Sequence, residues 1–229
     1  MELVKKLLAI ICVLLIIFLS MYGYKSSKGK SNVTVAEVQQ IEEYLNQIYL
    51  WKEVTNEALP KFDCINNAPD LWVWEVVKKN LEEFELDYNQ IQDKATEMFG
   101  THFEKKFPAE GSEYLQYNEN LKKYVATGIG LDTEEDLFFI KEIKKTREGY
   151  EVEIAEYLED YVNSQSVGEN GTYDVYIKNL NEETISTIKS DESDTKTIES
   201  VKENIDKFST KKITLEKDEN GKIYIEKVE

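Results

Sequence analysis

The sequence predicts an α+β protein: an N-terminal membrane helix, then several helices packed on a curved antiparallel sheet of about five strands. Three observations predict it. From residue 34 to about residue 125, apolar side chains recur at helical spacing between capping signals. From Asp136 onward the pattern changes to strand-like alternation broken by turn residues. The chain closes on Ile213-Thr214-Leu215 and Ile223-Tyr224-Ile225 around Asn220-Gly221, a β-hairpin signal. Helices first and strands last put the helices on one face of an antiparallel sheet.

The chain divides into a segment at 1–24, a polar linker at 25–33 and one domain at 34–229. Residues 7–24, bounded by Leu7 and Tyr24, hold no charge, and Lys5 and Lys6 precede them. A bilayer core of about 30 Å takes roughly 20 apolar helical residues, so this run meets the lower limit. Two readings stand: an uncleaved anchor, or a signal peptide cut to release a secreted protein. Cleavage wants small residues three and one before the cut, and Met21 with Gly23 fits poorly. The anchor reading makes this a single-pass protein of the cell membrane. The short basic tail places the following domain outside the cytoplasm.

Composition narrows the partners. Residues 25–229 carry 44 of the 45 carboxylates and 26 of the 28 basic residues. A surface this acidic repels nucleic acid and anionic lipid. Arg147 is the single arginine, so bidentate phosphate clamps are not expected. The skew to lysine points to an AT-rich bacterial source. The cysteines are Cys12 and Cys64, the first inside the apolar run, so no disulfide is expected within the domain.

In order, Thr34-Val35-Ala36-Glu37 is a capping box opening a helix that carries Val38, Ile41, Leu45 and Ile48 toward Pro60. Pro69-Asp70 starts a second helix, lined by Leu71, Trp74, Val77, Leu81, Phe84 and Tyr88. A third runs from about Ile91 to Phe107, with Gly100 as its weak point. Residues 112–125 also read as helical. Strands follow at 137–140, around Val152, Ile154 and Leu158, and at 173–177. Residues 180–195 read as a polar surface insertion, and Ile198, Val201, Ile205 and Phe208 as a short helix.

In its capped helix, its helices around Trp72-Val73-Trp74 and Phe99 to Phe107, and its closing hairpin, the domain resembles the NTF2-like (cystatin-like α+β) superfamily. The resemblance is architectural and carries no signature motif. It implies helices wrapped inside a bent antiparallel sheet. Its members include isomerases, dehydratases, transport factors and domains without known activity, so fold alone does not assign function.

No residue pattern points to a catalytic site. His102 is the single histidine, and nothing local positions it or Cys64 as a dyad. The ligand inventory for zinc is missing, and the acidic run from Asp191 has no Gly at position six or Glu at position twelve of a calcium loop. No cofactor, metal or catalytic residue is expected. The acidic runs at 82–87, 132–136 and 191–194 read as solvated faces. Trp72 and Trp74 are two apart and cannot share one helix face, so one of them is expected at a pocket mouth or a partner surface. The expected function is a membrane-tethered binding domain for an envelope protein or a small ligand, with no nucleic acid. The alternative is a pocket enzyme of isomerase or dehydratase type using a carboxylate or a tyrosine.

Overall fold

The structure is a computed structural model that describes residues 33–50, 55, 57–127, 134–161, 174–190 and 193–229. Helix α1 (Val35–Ile48) opens on the capping box read from the sequence, with the Thr34 amide donating to Glu37 Oε2 at 2.8 Å. Its buried stripe is Ile41, Tyr44, Leu45 and Ile48. It stops well short of Pro60 because Tyr49 turns extended, with φ −80° and ψ 124°. Helix α2 (Asp70–Lys79) begins as read, at Asp70. It is buried continuously from Trp72 to Val77, the pattern of a helix enclosed on all sides. Helix α3 (Tyr88–Phe99) has its own capping box, Asp87 with Gln90. Gly100 ends it at φ 88°, a conformation open to glycine at little cost.

The expectation of one sheet of about five strands is overturned: the structure has two antiparallel sheets, of three and six strands. The smaller one consists of β1 (Glu85–Leu86), β2 (Leu115–Asn118) and β3 (Lys123–Ala126), in the order β1-β3-β2. Residues 112–125, expected to be helical, form its hairpin instead. Asn118 Oδ1 accepts from the amides of Asn120 and Leu121, at 3.0 and 3.1 Å. Lys122 completes the turn at φ 53°. An Asx-type turn of this kind offers the backbone an alternative to the helix.

The larger sheet is built on β5 (Gly149–Tyr161). Strand β4 (Glu134–Lys145) pairs along one edge of β5. Along the other edge, β8 (Ser209–Lys217) pairs with residues 149–156 and β6 (Asp174–Lys178) with residues 158–161. Strand β9 (Ile223–Val228) completes the hairpin with β8, and β7 (Thr184–Lys189) completes the other side. Strand β7 lies where a surface insertion was expected. Helix α4 (Ser193–Glu203) follows it.

Two apolar clusters sit against this sheet. Tyr150, Val152 and Ile154 of β5 join Ile213, Leu215 and the buried sides of α1, α2 and α3. Ala155 and Tyr157 join Val175, Ile177, Ile188, Val201 of α4 and Phe208. Because successive strand residues face opposite ways, β5 serves the two clusters from its two faces, Tyr150, Val152 and Ile154 on one and Ala155 and Tyr157 on the other.

Among the described residues, no helix is long and apolar enough to cross a membrane. The longest, the 14-residue α1, spans about 21 Å against a bilayer core of about 30 Å. The described residues therefore give no support to the expected membrane helix, its anchoring role or the cell-membrane placement. The run bounded by Leu7 and Tyr24 lies outside the described residues, as do Trp51 and the glycines at 128 and 130.

Candidate functional site

The tryptophans singled out in the sequence are core residues. Trp72 and Trp74 are each 1 % exposed. They do point apart, but α2 is enclosed, so both directions lead inward. Trp72 packs against Phe62 and Phe99, with ring centroids 5.6 and 5.9 Å away, and its Nε1–H donates to the Ala58 carbonyl at 3.2 Å. Trp74 meets Phe103 and Phe107 edge-on, at 6.0 and 5.1 Å. Neither side chain reaches the surface.

His102 and Cys64 form no dyad. His102 Nε2 lies 3.3 Å from Glu226, and Cys64 is a partly buried free thiol. Among the described residues, no group of three or more His, Cys, Asp or Glu side chains is arranged to hold a metal ion.

The interior does contain a polar cluster that the sequence reading passed over. On β5, Tyr150, Val152, Ile154 and Leu158 are buried, and Glu156 interrupts their row at 1 % exposure. On β8, Lys211 stands in the buried row of Ile213 and Leu215. The register sets Lys211 opposite Ile154, diagonal to Glu156. Lys211 Nζ reaches Glu156 Oε1 at 3.2 Å and Glu57 Oε2 at 3.4 Å, and it donates to the Leu59 carbonyl. Tyr49, at the end of α1, places its hydroxyl 3.1 Å from Glu156 Oε1 and 3.3 Å from the Leu137 carbonyl. Glu156 Oε2 is buried with no hydrogen-bond partner among the described residues. Burial pushes the Glu156 carboxyl above its ordinary range, against the pull of Lys211 and Tyr49. A carboxylate, a lysine and a tyrosine in one buried place are the ingredients of acid–base chemistry. Among the described residues, Glu156 and Lys211 are closed off, at 1 % and 7 % exposure. A surface cleft of about 170 Å³ is lined by charged residues that include Glu151, Glu153 and Lys212, and neither Glu156 nor Lys211 lines it.

The other distinctive feature lies on the small sheet. Phe84 precedes β1 and is 78 % exposed, the most exposed large apolar side chain among the described residues. Its backbone is held in place, because the Ala126 amide donates to the Phe84 carbonyl at 3.0 Å and extends the β1–β3 pairing by one residue. Two residues on, Leu86 is buried at 1 % exposure. Glu82, Glu83 and Glu85 around Phe84 are all exposed. Glu83 accepts from Gln90 at 3.0 Å, but none of the three has a cationic partner among the described residues. Tyr117 and Leu121 of the β2–β3 hairpin are also exposed, at 37 % and 47 %.

No family model, no curated protein and no solved structure matches this chain. The assignment of function therefore rests on these residues alone.

Both features had signals in the sequence. Glu156 shares the parity of Val152, Ile154 and Leu158, and Lys211 that of Ile213 and Leu215; a charge in such a row predicts a buried ionic group. Helical spacing puts Phe84 on the apolar face of a helix, but that helix ends at Lys79. Once that helix is shortened, Leu81-Glu82-Glu83-Phe84-Glu85 becomes an aromatic residue inside an acidic run.

Proposed function

We propose that this domain is a non-catalytic interaction module, and that the surface around Phe84 receives a cationic polypeptide segment bearing an apolar side chain. One observation carries the reading: an aromatic side chain, 78 % exposed on a backbone hydrogen-bonded into the small sheet, stands among exposed carboxylates that have no cationic partner among the described residues. An apolar ring in water favours any partner that covers it. The surrounding charge selects among partners. With a formal net charge of −17, the chain repels nucleic acid, anionic lipid and a second copy of itself. A lysine- or arginine-bearing segment supplies the missing counter-charge at the rim while its apolar residue packs on the ring.

The NTF2-like resemblance belongs to this proposal as its fold component. Helices α1 to α3 packed on one side of the large antiparallel sheet support it, and the separate three-stranded sheet departs from the minimal pattern. The alternative, a pocket enzyme, has one specific observation in its favour: Glu156, buried, with a raised carboxyl and a tyrosine beside it. The charged cleft is not lined by that carboxyl and does not deliver a substrate to it.

Panning a random peptide library against the immobilised chain tests the proposal. The expected enrichment is for Lys or Arg next to an aromatic or aliphatic residue, with affinity falling as salt rises. Full burial of a Phe stabilises by about 1.5–3 kcal/mol. With 78 % of Phe84 available to cover, Phe84→Ala should weaken such a peptide by about 2 kcal/mol, or roughly thirtyfold. Enrichment of acidic or uncharged sequences, or equal binding to the Phe84→Ala variant, overturns the reading.

A further inference from the structure

The small sheet has an open edge beside Phe84. In the order β1-β3-β2, β1 is an outer strand, and among the described residues it pairs only with β3. In an antiparallel pair, residues bonded to the partner strand alternate with residues whose amide and carbonyl point away from it. The Ala126 amide donates to the Phe84 carbonyl at 3.0 Å, which puts Phe84 and Ala126 at a bonded position. Glu85, opposite Val125, is the next residue and stands at a non-bonded one. Its N–H and C=O therefore face out of the sheet, and among the described residues no other main-chain group bonds to either.

The opening is one residue long. On one side the chain bends at Phe84. On the other, the Asp87 amide is taken by Gln90 Oε1 at 2.8 Å, in the capping box of α3. By the alternation of strand residues, Glu85 faces one side of the sheet and Phe84 and Leu86 the other. Leu86 is buried there, and Phe84 is left uncovered. Sheet edges attract further strands, and proteins guard them with charge, proline or bulges. Here the guard is acidic: Glu82, Glu83 and Glu85 are exposed, with no cationic partner among the described residues. Like charge turns away the same edge of a second copy. The same carboxylates draw a strand of opposite sign.

We propose that the cationic segment received at the Phe84 surface binds as an extended strand antiparallel to β1, its lysine or arginine opposite Glu85 and an adjacent apolar residue on the Phe84 face. The binding mode rests on the Phe84 reading and adds the partner's conformation and register. Antiparallel pairing is that of both strand pairs already in this sheet. The cationic residue then exchanges two main-chain hydrogen bonds with Glu85 and sets its side chain across from the Glu85 carboxylate. Its neighbours, whose amides point away, send their side chains to the Phe84 face. Main-chain bonds hold the segment in register, and the alternating side chains select it.

The test uses a short capped peptide with a central lysine between a phenylalanine and a leucine, and two N-methylated versions of it. A methyl group on the lysine's main-chain nitrogen removes the donor to Glu85 and blocks the approach of the strands. On the leucine's main-chain nitrogen it points to solvent. Methylation at lysine should weaken binding by about tenfold or more, and methylation at leucine by less than about twofold. Hydrogen exchange at the Glu85 amide should slow when the unmodified peptide binds. Equal cost at the two positions, or a Glu85 amide that exchanges as in the free chain, overturns the strand pairing. The Phe84 reading survives that result if Phe84→Ala still weakens the peptide. No binding by the unmodified peptide, or equal binding to Phe84→Ala, overturns both.

Discussion

Lys211→Met probes the buried cluster from its cationic side. Methionine keeps most of the apolar stem and removes the charge, so Glu156, at 1 % exposure, loses its nearest cation. Breaking a buried pair in this way typically costs about 3–5 kcal/mol. The carboxyl limits the loss by taking a proton. At about pH 7.5 that proton costs at most about 4 kcal/mol, the distance to an ordinary carboxylate value near 4.3 at about 1.36 kcal/mol per unit. The wild type already bears part of this, because burial raises Glu156 despite Lys211. The electrostatic loss at about pH 7.5 should therefore be about 2–3 kcal/mol, with about 1 kcal/mol more for the hydrogen bond to Leu59. Removing the lysine lifts the folded-state carboxyl further above its unfolded value. The electrostatic penalty is then absent below the unfolded value and grows as pH rises toward the folded one. Urea unfolding followed by tryptophan fluorescence should give a loss near 3–4 kcal/mol at about pH 7.5 and near 1 kcal/mol at about pH 4.5. An equal loss at both pH values would show that Lys211 acts through packing and would refute this account of the cluster.

Three further expectations use the same assay. Glu37 is held down at about 2 by Lys145, the Thr34 amide and Tyr150; the stability it lends is present above about pH 4.3 and is lost as pH falls from there. Glu37→Gln should lower stability by about 1 kcal/mol at neutral pH and flatten that acid-side slope. Trp74→Ala should lose about 3–5 kcal/mol, with the peptide affinity of the folded protein unchanged, since the ring lies inside the aromatic cluster. Gly149→Ala would place its Cβ 2.0 Å from the Leu215 carbonyl across the β5–β8 ladder. It should cost about 2–3 kcal/mol or prevent folding, and wild-type stability in that variant would contradict the observed register.

Strong local signals in the sequence carry through to the structure. Thr34 with Glu37, Pro69 with Asp70, and Asn220 with Gly221 each place an element boundary that the structure keeps. The three-stranded sheet was missed because its strands are two to four residues long. Runs that short give alternation too little length to show. Strand β7 was missed because Thr184, Ser186 and Thr187 read as polar, although the β-branched residues among them suit a pleated surface. The tryptophan expectation failed for a tertiary reason, the enclosure of α2 on all sides, which two-residue spacing does not encode. Glu156 and Lys211 were legible in the parity of their strands, but only with the strand limits known.

Whether the Phe84 surface is the recognition site is read from the footprint of a bound cationic, aromatic-bearing peptide on the backbone amide spectrum. Shifts are expected only on the three-stranded sheet and its approach, at Glu83, Phe84, Glu85, Val125 and Ala126, and they should weaken with added salt. A footprint centred on the charged cleft of the large sheet, at Glu151, Glu153 and Lys212, would contradict that assignment.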